Sequence, residues 1–173
     1  MKPYLSHIAE HGAERPLEFH LRSVGATAAR FARPFGAEWW GMVAGLWHDL
    51  GKFQSRWQAY LRSQYADSPH EAEPRGSVPH SLAGAQYAEQ VLPNGLGRLL
   101  AYVIAGHHAG LPDFHPSEAG YGSLKLRLDE AARNPSKDEL GRAFENRAAI
   151  PADILEVPAL SPDLARMTAE GRS

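Results

Sequence analysis

The feature that most restricts the fold of this chain is a helical repeat of apolar residues that ends, at separate points along the sequence, in histidine. Residues 37–50 give the clearest example, because their apolar positions recur at the spacing of one helix face. That face carries Trp39, Met42, Val43, Leu46 and Leu50. No alternating pattern of useful length predicts a β-strand. The sequence therefore predicts an all-α fold, a compact multi-helix bundle that forms one domain over residues 1–173.

The same periodicity and its flanking Gly and Pro residues set the predicted boundaries. We expect helices at residues 20–32, 37–50, 53–64, 80–91, 96–108, 124–132 and 137–149. Residues 1–18 predict an irregular lead-in. Residues 65–79, which are rich in Ser, Pro, Glu and Gly, predict a mobile loop. Residues 151–173 show little periodicity and predict a loosely ordered tail.

The composition excludes several classes of protein. The chain has no cysteine, so disulfides, thiolate metal sites and a cysteine nucleophile are excluded. Residues 1–16 lack the apolar segment of a secretory signal, and the longest apolar run, Leu99–Ala105, is too short to cross a membrane. We therefore expect a cytoplasmic protein. Its net charge of −2 is not that of a protein that holds nucleic acid by bulk electrostatics.

Histidines and one aspartate lie at or near the ends of the predicted helices, on or beside their apolar faces. His20, for example, shares a predicted inner face with Val24, Thr27 or Ala28, and Phe31. Inward imidazoles need a partner, because an unpaired buried polar group is costly. The candidate metal ligands are His20, His48, Asp49, His80, His107 and His108. This set exceeds the needs of one tetrahedral ion, and a carboxylate can bridge two, so we expect two divalent metal ions.

The ligand types also restrict the metal. Imidazole and carboxylate without thiolate suit Mn, Fe, Ni or Co, whereas Mg prefers oxygen ligands alone. We expect Mn, Fe, Ni or Co ahead of Mg or Zn.

Three short segments resemble a known family. These are His48–Gln54 (HDLGKFQ), His80–Ala85 (HSLAGA) and Gly106–Asp113 (GHHAGLPD). Together they resemble the HD nuclease of type I CRISPR interference, a branch of the HD phosphohydrolase superfamily, over about residues 15–115. The resemblance implies an N-terminal module of the helicase-nuclease that the Cascade complex recruits, or its stand-alone form.

The resemblance also implies individual roles. In it, His20, His48 and Asp49 correspond to the ligands of one metal ion. Asp49 bridges to a second ion, which is held by His80 and the pair His107–His108. Lys52 resembles the lysine that follows the HD doublet and assists phosphate chemistry, so the implied catalytic residues are His48, Asp49 and Lys52.

One ligand of the family pattern has no counterpart here. The first metal of the family also takes a distant aspartate from a helix well past the histidine pair. The remaining candidates do not lie in such an apolar helical context; they are Asp113, Asp129, Asp138, Asp153 and Asp163. We expect that the chain lacks the C-terminal part of the domain, or else that it is a natural variant with an altered site.

Three functions remain open at this point. The first is a metal-dependent nuclease that acts on single-stranded DNA in antiviral defence, with a CRISPR helicase, fused or separate, and Cascade as partners. The second is a nucleotide phosphohydrolase on the same scaffold, since fold does not fix the substrate. The third is a catalytically incomplete HD domain that serves as a docking module.

Overall fold

The computed structural model describes residues 2–65, 76–93, 95–113 and 122–159, and helices dominate these residues. The α-helices are α1 (Leu17–Ala32), α2 (Glu38–Trp47), α3 (Ser55–Ser63), α4 (Ala83–Val91), α5 (Leu96–Gly106), α6 (Leu124–Arg133), α7 (Glu139–Phe144) and α8 (Ala152–Leu155). Short 3-10 turns occupy Arg33–Phe35, Leu50–Phe53 and Arg147–Ala149. The prediction of an all-α fold is confirmed. Most of the predicted loop at residues 65–79 lies outside the described residues.

A two-stranded hairpin corrects the predicted irregular lead-in. Strands β1 (Leu5–Ile8) and β2 (Glu14–Pro16) pair antiparallel, with His7 opposite Arg15. The strands are too short to show an alternating pattern in the sequence. Their apolar residues are buried in a small second core with residues of α3 and the segment before α4; this core contains Leu5, Ile8, Trp57, Leu61 and Val78.

The main core is formed where α1 crosses α2 and where α4 and α5 pack beside them. The predicted inner face of α1 is wrong: Leu17, Leu21 and Gly25 are buried, whereas Phe31 is 68% exposed. The reason is a glycine contact, because a Cβ on Gly45 of α2 would collide with the backbone of Gly25. Two glycines let the helices approach closely, and an apolar stripe does not reveal such a contact.

The chain after Pro151 corrects a second prediction. Instead of a loose tail, residues 152–155 form α8, in which Ile154 is fully buried. The Trp47 indole donates to the Ile154 carbonyl at 2.8 Å, and the Tyr87 hydroxyl donates to the Leu155 carbonyl at 2.7 Å. These two long-range bonds have no local sequence signal. Residues 160–173 lie outside the described residues, so the tail prediction stays untested there.

Three helices are shorter than predicted, and the candidate ligands predicted at their ends lie in the turns beside them. Helix α2 stops at Trp47, α4 begins only at Ala83, and α5 stops at Gly106. Within the described residues no helix is both long enough and apolar enough to cross a membrane.

Candidate metal centre

Four separate segments of the chain bring the six predicted metal ligands to one place. His20 lies in the first turn of α1, and His48 and Asp49 follow the end of α2. His80 precedes α4, and the pair His107–His108 follows α5. The ligand atoms form two sets. Within each set the atoms lie within 4.8 Å of one another, and both sets include Asp49. We call His20, His48 and Asp49 the first group, and Asp49, His80, His107 and His108 the second group.

The first group gathers around one carboxylate oxygen. Asp49 Oδ2 lies 3.2 Å from His20 Nε2 and 3.1 Å from His48 Nε2. The two Nε2 atoms are 3.2 Å apart. All three ligand atoms therefore face one point.

The second group gathers around the other carboxylate oxygen. Asp49 Oδ1 lies 3.5 Å from His80 Nε2 and 3.5 Å from His107 Nε2. His80 Nε2 is 2.8 Å from His108 Nε2. One carboxylate thus turns one oxygen to each group, which is the arrangement of a bridging ligand.

Asp49 supplies the test of whether a cation fits. The residue is 2% exposed, and its Oδ1 is buried without a hydrogen-bond partner in the described part of the chain. The 3.5 Å contacts are too long for hydrogen bonds. A buried carboxylate oxygen without a partner is costly, and a divalent cation bound by the surrounding imidazoles removes that cost. The donor set therefore fits a metal ion.

The Asp49 side chain is ionised at neutral pH. Burial by itself raises the pKa of the carboxyl, but its contacts with the imidazoles of His107, His20 and His48 outweigh burial and hold the pKa well below its usual range. An ionised carboxylate is the form that binds a metal ion.

Two histidines are oriented by the carbonyls of their own helix ends. His48 Nδ1 lies 2.8 Å from the Gly45 carbonyl, and His107 Nδ1 lies 2.6 Å from the Ile104 carbonyl. Each Nδ1 therefore donates its proton to a carbonyl, which makes Nε2 the nitrogen that can bind a metal ion. This is the tautomer that a metal ligand needs.

His80 has two competing partners at Nδ1. The Trp57 indole N–H donates to it at 3.1 Å, which places the proton of a neutral ring on Nε2. The Val78 carbonyl lies 3.4 Å away and accepts only when Nδ1 is protonated. Binding of a metal ion by Nε2 requires the second arrangement. Burial, with the nearby charge of Lys52, lowers the pKa of His80 to about 4, so the ring is neutral at neutral pH.

A close backbone contact fixes the His80 segment against the turn that carries Asp49. A side chain on Gly51 would collide with the carbonyl of His80. The glycine of the HDLG sequence is therefore needed for packing.

A comparison with protein families shows which family the chain belongs to. The family model described as "Cas3, HD domain" matches residues 6–169. The chain belongs to the Cas3 HD domain family. No curated protein matches the chain. Membership makes the chain a CRISPR-associated HD hydrolase domain, and the resemblance drawn from the three sequence segments is confirmed.

Lys52 lies inside this Cas3 HD site and not on the surface. Its Nζ is 2.8 Å from Asp49 Oδ2, and the side chain is 13% exposed. The ammonium also donates to the Ser6 carbonyl at 3.3 Å and lies 4.9 Å from the centre of the Trp57 ring. Trp57, at 4% exposed, is a core residue. The 3-10 turn brings Lys52 back onto the carboxylate, and the first group therefore has a protein cation beside it.

No second carboxylate joins the Cas3 HD ligands among the described residues. Asp153 pairs with Arg22, Asp129 pairs with Lys125, and Asp138 accepts the Gly141 amide at the start of α7. Asp113 is exposed, and Asp163 lies outside the described residues. The first group thus has three ligand residues and the second has four.

A shallow groove of about 290 Å³ opens beside His20 along α1. Arg15 lies at its border, and Val24 and Phe31 line it. These α1 residues were predicted to face the core. Instead they form a surface that leads to the first group.

Two residues that support the site were missed by sequence reasoning. Arg127 of α6 donates to Ser81 and to the Ala105 carbonyl, and Glu139 of α7 accepts the Leu82 amide. Both lie outside the segments that carry the resemblance. A single arginine on a helix surface and a single glutamate at a helix start give no signal of such contacts.

Proposed function

We propose that this domain is a metal-dependent nuclease that hydrolyses phosphodiester bonds of single-stranded DNA in type I CRISPR antiviral defence. The observation that supports it best is the Asp49 carboxylate, which turns one oxygen to each of two imidazole groups. We further propose that His20, His48 and Asp49 hold one divalent ion, and that His80, His107 and His108 hold a second with Asp49 as the bridge. Bound ions supply Lewis-acid activation of water and neutralise negative charge on the phosphate.

The protein sets the orientation and the charge of the candidate ligands. The helix-end carbonyls fix the His48 and His107 rings, the contacts with imidazoles keep Asp49 ionised against the effect of burial, and burial keeps His80 neutral. The Lys52 ammonium, beside Asp49, places a fixed positive charge where a scissile phosphate would lie, and we propose that it stabilises the charge that develops there. Because the ligands are mostly imidazole, a transition-metal ion fits them better than Mg, and we propose Mn, Fe, Ni or Co as that ion.

The groove beside His20 supports a single strand as the substrate. Arg15 offers a backbone phosphate contact, and the exposed Phe31 offers a ring on which a base can stack. Since the net charge of the chain is −2, we propose that a helicase and the Cascade complex deliver the strand, in the cytoplasm.

The test is cleavage of circular single-stranded DNA by the protein with Mn²⁺, Ni²⁺ or Co²⁺. We expect nicked and then degraded products that EDTA prevents, and no products from His48→Ala or Asp49→Ala. Turnover of free nucleotides without cleavage of DNA would replace the substrate by a nucleotide.

The first group's three ligands favour one alternative, a catalytically incomplete docking domain. This alternative predicts less than one bound ion per chain together with retained binding to a helicase. Elemental analysis of the purified protein separates the two, because the nuclease proposal predicts close to two ions.

A further inference from the structure

Arg127 of α6 joins the two chain segments that carry the histidines of the second group. Its Nη2 donates to the Ser81 hydroxyl at 3.1 Å, and its Nη1 donates to the Ala105 carbonyl at 3.3 Å. Ser81 directly follows His80, and Ala105 lies two residues before His107. One planar guanidinium, which presents its N–H groups in a fixed geometry, therefore links both segments.

The Ala105 carbonyl needs such a donor. Helix α5 ends at Gly106, and the amide of Ala109, which would continue the helix by bonding to Ala105, bonds to Gly106 instead. A carbonyl in the last turn of a helix carries a partial negative charge, and a nearby cation stabilises it. Arg127 meets this requirement at the turn where the chain leaves the helix toward His107.

The segment after His80 is held from a second helix as well. Glu139 of α7 is 4% exposed and accepts the Leu82 amide at 2.7 Å. Burial raises the pKa of Glu139, and the charge of Arg127 nearby opposes that rise. Arg127 and Glu139 thus hold neighbouring residues of one short segment, and only Arg127 continues to α5.

We propose that Arg127 is a positioning residue that sets the distance between His80 and the pair His107–His108, and thereby the affinity of the second group for a metal ion. The inference rests on the proposed function, since it requires that the second group binds metal. The two nitrogen atoms whose distance Arg127 sets are close together, since His80 Nε2 lies 2.8 Å from His108 Nε2. Loss of a residue that orients metal ligands typically costs about 10–100-fold in metal affinity.

The test is titration of metal-free protein with Mn²⁺, followed by calorimetry, in two backgrounds. His20→Ala leaves only the second group intact, and His108→Ala leaves only the first. We expect Arg127→Met to weaken Mn²⁺ binding about 10–100-fold in the His20→Ala background. In the His108→Ala background we expect less than a twofold change. Arg133→Met, at an exposed arginine at the end of the same helix, is the matched control and should change neither.

The outcomes separate this inference from the function on which it rests. No Mn²⁺ binding by the unmodified protein would overturn both. Binding that Arg127→Met leaves unchanged, or weakens equally in both backgrounds, would overturn the positioning role alone, because general destabilisation does not distinguish the two groups. Should Arg127→Met fail to fold, Ser81→Ala removes one of the two bonds and should weaken binding in the His20→Ala background only.

Discussion

The two halves of the candidate metal centre use the same carboxylate in different surroundings. On the side of the first group, Asp49 Oδ2 meets two imidazoles and the ammonium of Lys52 at 2.8 Å. On the side of the second group, Oδ1 is buried, has no hydrogen-bond partner in the described residues, and faces imidazoles alone. One oxygen is already partly neutralised by the protein, and the other is not.

This difference predicts unequal metal binding. The second group has four candidate ligand residues, and its carboxylate oxygen gains most from a cation because it has no hydrogen-bond partner among the described residues. The first group has three ligand residues, and a cation there must approach the Lys52 ammonium. We therefore expect the second group to bind its ion more tightly.

The largest effect is expected from Asp49→Asn, which removes the charge that both groups share. We expect loss of both ions at metal concentrations that saturate the unmodified protein, and cleavage of DNA reduced to that of an EDTA-treated sample. Equilibrium dialysis with elemental analysis measures the ions. Asp113→Asn, at an exposed aspartate, is the control and should retain both. Full metal retention in Asp49→Asn would show that the carboxylate does not bridge.

A comparison of His108→Ala with His20→Ala separates the two groups. His108→Ala should weaken the tighter of two binding steps by more than the about 100-fold that loss of an orienting partner costs. His20→Ala should leave the tighter step within about threefold of its original affinity and abolish the weaker one. Calorimetric titration with Mn²⁺ resolves both steps. The reverse assignment of steps would contradict the unequal binding.

Lys52→Met sharpens the comparison because metal affinity and catalysis should move in opposite directions. Two unit charges about 4 Å apart repel by about 4 kcal/mol at an effective dielectric constant of 20, and a divalent ion doubles this before screening by the ligands and solvent reduces it. We expect roughly tenfold tighter binding by the first group, which is about 1.4 kcal/mol, together with slower cleavage of DNA. Lys125→Met, at an exposed lysine of α6, should change neither property. Weaker binding in Lys52→Met would mean that the ammonium supports the metal site.

The last effect concerns the stability of the metal-free protein and not its metal affinity. Burial lowers the pKa of His80 from 6.5 to about 4. Between these two values the unfolded chain takes up a proton that the folded chain does not, so the free energy of unfolding should decrease as the pH falls through this window. The full effect of His80 corresponds to about 3 kcal/mol. Burial also lowers the pKa of His108, which acts in the same direction.

Urea unfolding at pH 7 and at pH 4.5 measures this dependence. His80→Gln should reduce the loss of stability between the two pH values, whereas His11→Gln, at an exposed histidine of the hairpin, should not. An equal loss in the unmodified protein and in His80→Gln would contradict the pKa of His80.

The sequence predicts the candidate ligands better than it predicts the contacts that hold them in place. The candidate ligands from His48 onward could be found because three short segments, each beside an apolar helical stripe, match one family, whereas the stripe predicted for His20 is wrong. The buried face of α1 could not, since Gly25 and Gly45 fix it and neither carries a side chain. Arg127 could not either, because its bonds join residues 46 and 22 positions away along the chain. Contacts that depend on long-range geometry leave no local pattern.

The most direct measurement is a titration of metal-free protein with diamagnetic Zn²⁺, followed by NMR of the imidazole signals, because a paramagnetic ion would affect both groups at once. We predict that the first equivalent shifts or broadens the signals of His80, His107 and His108. The signal of His20 should respond fully only to the second equivalent. If the His20 signal responds first, the expected order of binding is wrong; if no imidazole signal responds to either equivalent, the proposed two-group metal centre is wrong.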